Sequence, residues 1–294
     1  MLAVQILINS SVIMVQVLLL AAALYLIYTV SGVVCIHLGA VMVASAYTYY
    51  ALVIMAGLPA ALGWVTAMII GIMLSLGSYW LLRPLIKKNF DLLGLLLAIG
   101  LMIGLEAVIG LMFGASPRFL IQGAIPTIHL GSYTLNIVGL WTLIIGAVIT
   151  VVALGMVYGT SAGRKLRAVY QHRSAAQSLR LNVNRVQVWT YVCAGGIVAI
   201  IGVLACMNDA ATPQYGTTQI LPAFIAFIVG GVRSFKGTIL TVVFMILGVE
   251  FLTGMNFSGV SFSSSWTNGF IFVFAIIALL LKPEGLFAIK SRQS

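Results

Sequence analysis

The acidic side chains are the groups most able to take part in chemistry, because the chain contains only five Asp and Glu residues. Glu106 and Glu250 each lie inside a long apolar run. An acidic group at the centre of a bilayer costs about 2.5–3.5 kcal/mol on insertion scales. Each is therefore expected to face water or the interior of a helical bundle, with Glu106 either protonated or near the outer end of its helix. A proton relay would need a longer series of such groups.

The remaining reactive side chains do not form a catalytic or metal-binding set. His129 and His172 have no partners at metal-ligand spacing. The three cysteines lack a Cys-x-x-Cys spacing and lie in or beside apolar runs, as small packing residues do; they are Cys35, Cys193 and Cys206. The sequence contains no ATP-binding Gly-x-x-x-x-Gly-Lys-Ser/Thr motif and no His-Glu-x-x-His or Gly-x-Ser-x-Gly motif. We therefore expect no enzyme active site, no metal and no cofactor in this chain.

The elements that position these groups must be membrane helices. Hydrophobic residues make up 62% of the 294 residues and charged residues 7%, whereas a soluble domain carries roughly 25% charged residues. A helical span needs about 20 apolar residues. Candidate runs lie near 8–31, 38–58, 60–82, 91–113, 138–158, 187–207, 219–232, 237–254 and 266–282.

The pattern of apolar runs predicts an all-α fold. We expect a polytopic integral membrane bundle of about eight or nine spans, forming a single membrane domain over residues 1–294. The seventh run is short and could be re-entrant. Glycine-bounded breaks at 32–39 and 230–237 separate the first two runs and the seventh from the eighth. Broken helices at corresponding places in two halves are typical of transporter cores.

Basic residues are concentrated on one side of this topology. If nine spans alternate, 14 of the 15 Lys and Arg residues fall on one face, and only Arg118 falls on the other. Because Lys and Arg are retained in cytoplasmic loops, we predict a cytoplasmic C-terminus and an external N-terminus. The net charge of +10 is then explained by topology and anionic lipid. Aromatic residues do not interleave with the basic ones, so we expect no nucleic-acid partner.

The longest polar connector, residues 159–187, has no proline and no glycine after Gly163. Residues 164–180 have good helix propensity, and apolar residues such as Leu166 and Leu179 fall near one face. The pattern predicts a short helix on the cytoplasmic side. Such a helix either docks a soluble motor protein or lies on anionic headgroups.

The residues of this connector resemble the cytoplasmic loop of branched-chain amino acid (LIV-type) ABC permeases, and equally that of the related urea and short-chain amide permeases. The matching positions are Gly163, Arg164, Arg167, Ala168, Ala175, Ala176 and Leu179, and Arg173 lies in the same loop. Further matches occur at Gly39 with Tyr47, Arg83 with Pro84, Gly230 and Gly231 with Gly237, Glu250, and 283–287. The chain departs from the family pattern at Cys35, Leu38, Ala40 and Arg180.

The resemblance implies a transmembrane permease subunit of an ABC-type importer in a bacterial inner (cytoplasmic) membrane. The solute would be small and polar: a branched-chain or other amino acid, with urea or a short amide as the alternative. The implied partners are a second homologous permease, two cytoplasmic ATPase subunits that bind ATP and Mg²⁺, and a periplasmic or extracellular solute-binding protein. The loop would insert into a cleft of the ATPase.

The family matches, together with the intramembrane acidic groups and the glycine-bounded breaks, suggest which residues line or gate the pathway. These are His37, Gly39, Tyr47, Glu106, Gly231, Gly237 and Glu250. Asp209 lies just beyond the sixth run, either as a solvated loop carboxylate or as a contact for the binding protein. The alternative class is a secondary transporter or channel that works alone, which predicts transport without ATP and more intramembrane charges than this sequence has.

Overall fold

A computed structural model describes residues 2–88, 90–121, 127–130, 133–161, 163–164, 166, 182–232, 234–254, 266–283 and 285–287. Within these residues the chain forms nine α-helices of 12 or more residues. They are α1 Leu2–Ser31, α2 Leu38–Tyr49, α3 Ala60–Lys87, α4 Asp91–Phe113, α5 Ile137–Gly159, α6 Val183–Asn208, α7 Tyr215–Val229, α8 Phe235–Gly254 and α9 Thr267–Leu281. Helix α2 continues as a π-helical segment, Tyr50–Met55.

Seven helical segments of the described chain are long and apolar enough to cross a membrane. Helices α7 and α9 are shorter, with 15 residues each. The prediction of an all-α polytopic bundle is confirmed, and the short seventh run is α7. Helices suit this environment because lipid offers the backbone no hydrogen-bond partners, so each segment must satisfy its own N–H and C=O groups.

Two local features differ from the sequence-based expectation. Helix α3 was expected to end near residue 82, but it continues through Pro84 to Lys87. Its buried face extends with it, since Leu82 and Ile86 are both buried. A hairpin of two antiparallel strands, β1 Thr127–Leu130 and β2 Tyr133–Asn136, precedes α5. Its four-residue strands are too short to give a clear alternating pattern.

Polar side chains and glycines fix several helix ends. The Oδ1 atoms of Asn136 and Asn182 accept hydrogen bonds from backbone N–H groups in the first turns of α5 and α6, as helix N-caps do. Glycines with positive φ follow α1 and α4, at Gly32 (φ 74°) and Gly114 (φ 82°). Glycine adopts this conformation without the steric cost that other residues meet.

Helices α1 and α6 form the centre of the bundle. Helix α6 packs against α1, α2, α3 and α5, and α1 also packs against α5, α7 and α8. Glycines on α6 allow this close packing: a Cβ atom at Gly195 would lie 2.8 Å from the carbonyl oxygen of Gly71 in α3. Small residues play this role in lipid, where apolar surface alone does not drive helices together.

Helices α3, α4, α5 and α9 expose large apolar side chains. These include Met73 and Trp80 of α3, Leu92 and Leu111 of α4, Val151 of α5, and Leu280 of α9. Such a surface is unsuited to water, so it must contact lipid or other membrane subunits. The described chain therefore has a buried centre around α1 and α6 and an apolar periphery.

Candidate functional site: a helix contact and a helix junction

Helices α2 and α7 touch at their N-terminal ends. Gly39 is the second residue of α2 and Gly216 the second residue of α7. A Cβ atom at Gly39 would lie 2.6 Å from the carbonyl oxygen of Gly216, and a Cβ atom at Gly216 would collide with the carbonyl oxygen of Gly39. The two backbones are therefore in direct contact, and only glycine fits at either position.

The two helices run in opposite directions from this contact. Helix α2 runs towards the end of α6, where the Tyr47 hydroxyl donates a hydrogen bond to the carbonyl oxygen of Ala211 at 3.1 Å. Helix α7 runs towards the end of α5, where Phe227 and Val157 belong to one buried cluster. Two half-length helices thus begin at one place inside the bundle and lead to opposite ends of it.

Glu106 of α4 lies at the start of α7. The Thr217 hydroxyl, in the first turn of α7, donates a hydrogen bond to Glu106 Oε1 at 2.5 Å. The first turn of a helix carries unpaired N–H groups and a partial positive charge, which favour a nearby carboxylate. The sequence indicated an inward-facing Glu106, but its partner Thr217 and the α2–α7 contact were not predicted.

Tyr47 joins α2 to the connector between α6 and α7 by a hydrogen bond. Its side chain is buried, and its partner Ala211 pairs through both backbone groups with Arg118, each bond 2.8 Å long. The Arg118 guanidinium in turn donates to the carbonyl oxygen of Phe113 at 2.9 Å. The end of α2, the end of α4 and the start of the α6–α7 connector are thereby held together.

His37 lies at the N-cap position of α2 and is fully buried. The Ser78 hydroxyl of α3 donates to the carbonyl oxygen of Ser75 at 2.7 Å. His37 Nε2 must therefore be the donor in its own 2.7 Å hydrogen bond to Ser78 Oγ, and Nδ1 has no hydrogen-bond partner among the described residues. His37 thus links the break between α1 and α2 to α3.

The break between α7 and α8, residues 230–237, is called the α7–α8 junction. It packs against the C-terminal segment of the chain. Gly231 and Gly285 have positive φ angles, 93° and 95°, and a Cβ atom at Gly285 would lie 2.7 Å from the Cα atom of Gly231. Leu286 N donates to the carbonyl oxygen of Val229 at 2.7 Å. A Cβ atom at Gly237 would lie 2.6 Å from the Cβ atom of Phe287. Gly231, Gly237 and residues 285–287, which match the family pattern in separate parts of the sequence, are therefore neighbours in the structure.

The first residues of the predicted docking loop pack on the end of α5 and join the buried cluster beside this junction. A Cβ atom at Gly163 would collide with the carbonyl oxygens at the end of α5, and Arg164 N donates to the carbonyl oxygen of Thr160 at 3.1 Å. Leu166 is buried in one cluster with Phe227 of α7 and Phe235 of α8. The other predicted docking residues lie outside the described residues; they are Arg167, Ala168, Arg173, Ala175, Ala176 and Leu179.

The two remaining predicted acidic residues lie on other elements than Glu106. Glu250 is on α8, which packs against α1, α7 and α9, whereas α4, which carries Glu106, packs against α2 and α3. Asp209 is exposed just after α6, and its Oδ2 atom accepts a hydrogen bond from the Tyr215 hydroxyl at 2.7 Å. In the part of the chain that the structure describes, no three His, Cys, Asp or Glu residues are grouped to hold a metal ion.

Comparison with known sequences places this arrangement in a family. The family described as branched-chain amino acid transport system, permease component, matches residues 6–280. The probable branched-chain amino acid transport permease protein LivH of Methanocaldococcus jannaschii is 23% identical over 285 residues, which cover 91% of this chain and 87% of that protein. The high-affinity branched-chain amino acid transport system permease protein LivH of Escherichia coli is 26% identical over 286 residues, covering 91% and 90%.

A solved structure has the same fold. In PsaBC from Streptococcus pneumoniae, in complex with Fab, one chain matches with a TM-score of 0.55 and 16% sequence identity, covering 95% of this chain and 92% of that chain. At that identity the likeness concerns the fold alone. From the family match over most of the sequence, together with the helical bundle, we conclude that this chain belongs to the branched-chain amino acid permease family and is a permease component of an ABC transporter.

Proposed function

We propose that this chain is a transmembrane permease subunit of an ABC importer that carries a branched-chain or other small amino acid inward across the cytoplasmic membrane. One observation supports the coupling mechanism most directly: Leu166, at the entrance of the predicted docking loop, belongs to the same buried cluster as Phe227 and Phe235, which lie on either side of the α7–α8 junction. A displacement of the loop would therefore be transmitted to α7 through this cluster.

Helix α7 then carries the displacement into the bundle. It is a 15-residue helix that runs from the α7–α8 junction to the contact between Gly216 and Gly39, where α2 begins. Packed elements of this kind switch between discrete arrangements more readily than they deform continuously. Movement of α7 relative to α2 would open one end of the pathway and close the other, and the ATPase cycle would set which arrangement is favoured.

The proposed partners follow from this role. Two cytoplasmic ATPase subunits would bind ATP and Mg²⁺ and dock on the loop that begins at Gly163, and a second homologous permease would complete the membrane portion. A solute-binding protein would dock on the outer face, where Asp209 is exposed. The C-terminus would be cytoplasmic and the N-terminus external, as the distribution of Lys and Arg favours.

Docking of the ATPase can be tested on the loop itself. The double variant Ala175→Asp and Leu179→Asp should reduce co-purification of the ATPase with the permease at least about tenfold, because it places two carboxylates on the face that would enter the ATPase cleft. The control variant, Gln293→Asp with Ser294→Asp, makes the same charge change in the tail and should leave docking unchanged. If the loop variant retains the ATPase while both variants insert normally, the loop assignment is wrong.

The solute can be tested with the assembled transporter in proteoliposomes. We expect uptake of labelled leucine, isoleucine or valine that requires ATP on the ATPase side, because curated relatives are branched-chain amino acid permeases. Uptake of urea or acetamide in preference to these amino acids would assign the chain to the amide branch. Uptake that continues without ATP would overturn the importer assignment in favour of a transporter that works alone.

A further inference from the structure

Helices α3 and α6 pack antiparallel to each other, and two hydrogen bonds define their register. The Ser75 hydroxyl of α3 donates to the carbonyl oxygen of Tyr191 at 2.8 Å, and the Tyr79 hydroxyl donates to Gln187 Oε1 at 3.4 Å. Each step towards the end of α3 is thus a step towards the start of α6. Arg83 follows Tyr79 by about one turn, so the same register places Arg83 beside the first turn of α6.

Arg83 and Arg185 project from the same side of this helix pair. A Cβ atom at Gly196 of α6 would lie 3.9 Å from Ile72 Cδ1 of α3, so these two positions face each other on one side of the pair. Arg83 lies about three turns after Ile72, and Arg185 about three turns before Gly196, at roughly 3.6 residues per turn. Whole turns return a side chain to the same face of a helix. The two arginines therefore flank one groove, at the end of α3 and the start of α6.

Each arginine has an exposed tryptophan about one turn closer to the middle of its helix. Trp80 is 62% exposed, and the Arg83 guanidinium lies over it with Cζ 5.1 Å from the centre of the indole ring. Trp189, after Arg185 on α6, is 63% exposed. Large exposed side chains such as Leu81 continue this surface along α3. The arginines thus lie at the rim of the apolar periphery, next to the side chain that is favoured where acyl chains meet headgroups.

Neither guanidinium group has an acidic partner in the part of the chain that the structure describes. Arg185 is exposed, whereas Arg83 is partly buried and its Nε atom is enclosed without a hydrogen-bond partner. Because only Nε is enclosed, the two terminal nitrogens of Arg83 are the donors that a ligand can reach. The planar donor fork of arginine matches two oxygens of a phosphate group, and two such forks across one groove can hold a phosphate from both sides.

We propose that this groove binds an anionic phospholipid, whose phosphate is held by Arg83 and Arg185 and whose glycerol and upper acyl segments contact Trp80 and Trp189. A free phosphate ion would use the arginines but leave both indole rings without a partner. A zwitterionic lipid would bring a positive group next to two arginines. Basic residues near a membrane attract anionic lipid in general, and this site adds a fixed geometry to that attraction. It does not depend on the transported solute or on the ATPase.

The test uses the two tryptophans of the groove as fluorescent reporters. Replacing the other three tryptophans by phenylalanine leaves only Trp80 and Trp189 in the full chain; the three are Trp64, Trp141 and Trp266. The chain is reconstituted in phosphatidylcholine nanodiscs with an equal minor fraction of either phosphatidylglycerol or phosphatidylcholine that carries bromine in its upper acyl chains. We expect brominated phosphatidylglycerol to quench the fluorescence at least about threefold more strongly, because the groove concentrates anionic lipid. Equal quenching by the two lipids would overturn the proposal.

Variants in the same background assign the lipid preference to this groove. Arg83→Gln with Arg185→Gln should make quenching by the two brominated lipids equal, because the phosphate loses both charged donors. The control, Lys290→Gln with Arg292→Gln, removes the same charge from the tail and should keep the preference. Arg185 is exposed, so Arg185→Gln alone should fold even if the double variant does not, and it should at least about halve the preference. An unchanged preference in Arg185→Gln would refute the site.

Two further measurements separate the lipid from other anionic partners. Inorganic phosphate, added at matched ionic strength, should leave the quenching preference unchanged; its disappearance would assign the groove to a free anion and overturn the lipid site. The double arginine variant should also retain the ATPase on co-purification. Loss of the ATPase together with an unchanged lipid preference would assign the two arginines to the ATPase instead.

Discussion

Thr217 Oγ1 donates a hydrogen bond to Glu106 Oε1 at 2.5 Å, joining the first turn of α7 to the C-terminal third of α4 that precedes Gly114. Beside it, α7 and α2 touch through the backbones of Gly216 and Gly39. The start of α7 is therefore held on one side by a carboxylate and on the other by a second helix start. In the proposed mechanism, both contacts must adjust when α7 moves.

The hydrogen bond between these two residues can be measured with a double-mutant cycle. Glu106→Leu and Thr217→Val should each lower the free energy of unfolding, and their coupling should be about 1 kcal/mol, because the cycle isolates one hydrogen bond. Glu106→Gln keeps an oxygen that accepts from Thr217 and should retain most of the stability. Thermal unfolding of the four chains in detergent gives the coupling, and strictly additive effects would contradict a direct bond.

The glycine contact predicts a strong effect of a single methyl group. Gly216→Ala should destabilise the protein by about 1–3 kcal/mol, because the added carbon collides with the backbone of Gly39 and forces the helices apart. The control is Gly100→Ala in α4, where the added carbon meets no described residue beyond its own stretch of helix within 4 Å and alanine favours the helix. Thermal unfolding should separate the two variants, and similar melting temperatures would argue against this contact.

Leu166 is expected to couple the docking loop to α7. Leu166→Ala removes side-chain atoms from the cluster with Phe227 and Phe235, and buried Leu→Ala changes cost about 2–5 kcal/mol. We predict that the variant still co-purifies with the ATPase and hydrolyses ATP, but that amino acid uptake per ATP hydrolysed falls at least about fivefold.

The comparison variant for Leu166 is Leu280→Ala on α9. Leu280 is 79% exposed on the apolar periphery, so the same substitution should leave uptake per ATP unchanged. Should Leu166→Ala lose the ATPase altogether, Leu166 would belong to the docking surface. If Leu166→Ala kept both the ATPase and the normal uptake per ATP hydrolysed, the junction would not carry the coupling.

The α7–α8 junction depends on the backbone conformation of Gly231. Gly231→Ala should cost about 1–2 kcal/mol, because a side chain is disfavoured at a φ of 93°, and should also displace the segment containing Gly285. The control is Gly248→Ala in α8, which has open space around the added carbon. Limited proteolysis after residue 280 should be faster in the Gly231 variant alone. Equal cleavage of both variants would show that Gly231 does not hold this segment.

Hydropathy predicted the helices well because each span must satisfy its own backbone and match the thickness of the bilayer. The apolar run ending near residue 31 and the run from 91 to 113 correspond to α1 and α4. The pattern also indicated that the seventh run is short. It does not report how a helix is rotated or which neighbour it meets, because all faces of these helices are apolar.

For the same reason the partners at the candidate site were not predictable. Thr217 and Glu106 are 111 residues apart in the sequence, and Gly216 looks like any other glycine in a chain that has 30. The predicted matches at Gly231, Gly237 and 285–287 are seen to be neighbours only in the structure. The roles assigned to His37, Tyr47, Glu250 and the docking loop remain predictions.

The packing of residues 285–287 on Gly231 and Gly237 has a consequence for biogenesis. Membrane helices enter the bilayer in the order in which the ribosome makes them, so α7 and α8 are inserted before Leu286 exists to bond Val229. The break between these helices must therefore stay incompletely packed until residues 285–287 have been synthesised. Premature termination within this segment would therefore leave the α7–α8 junction without the residues that pack on it.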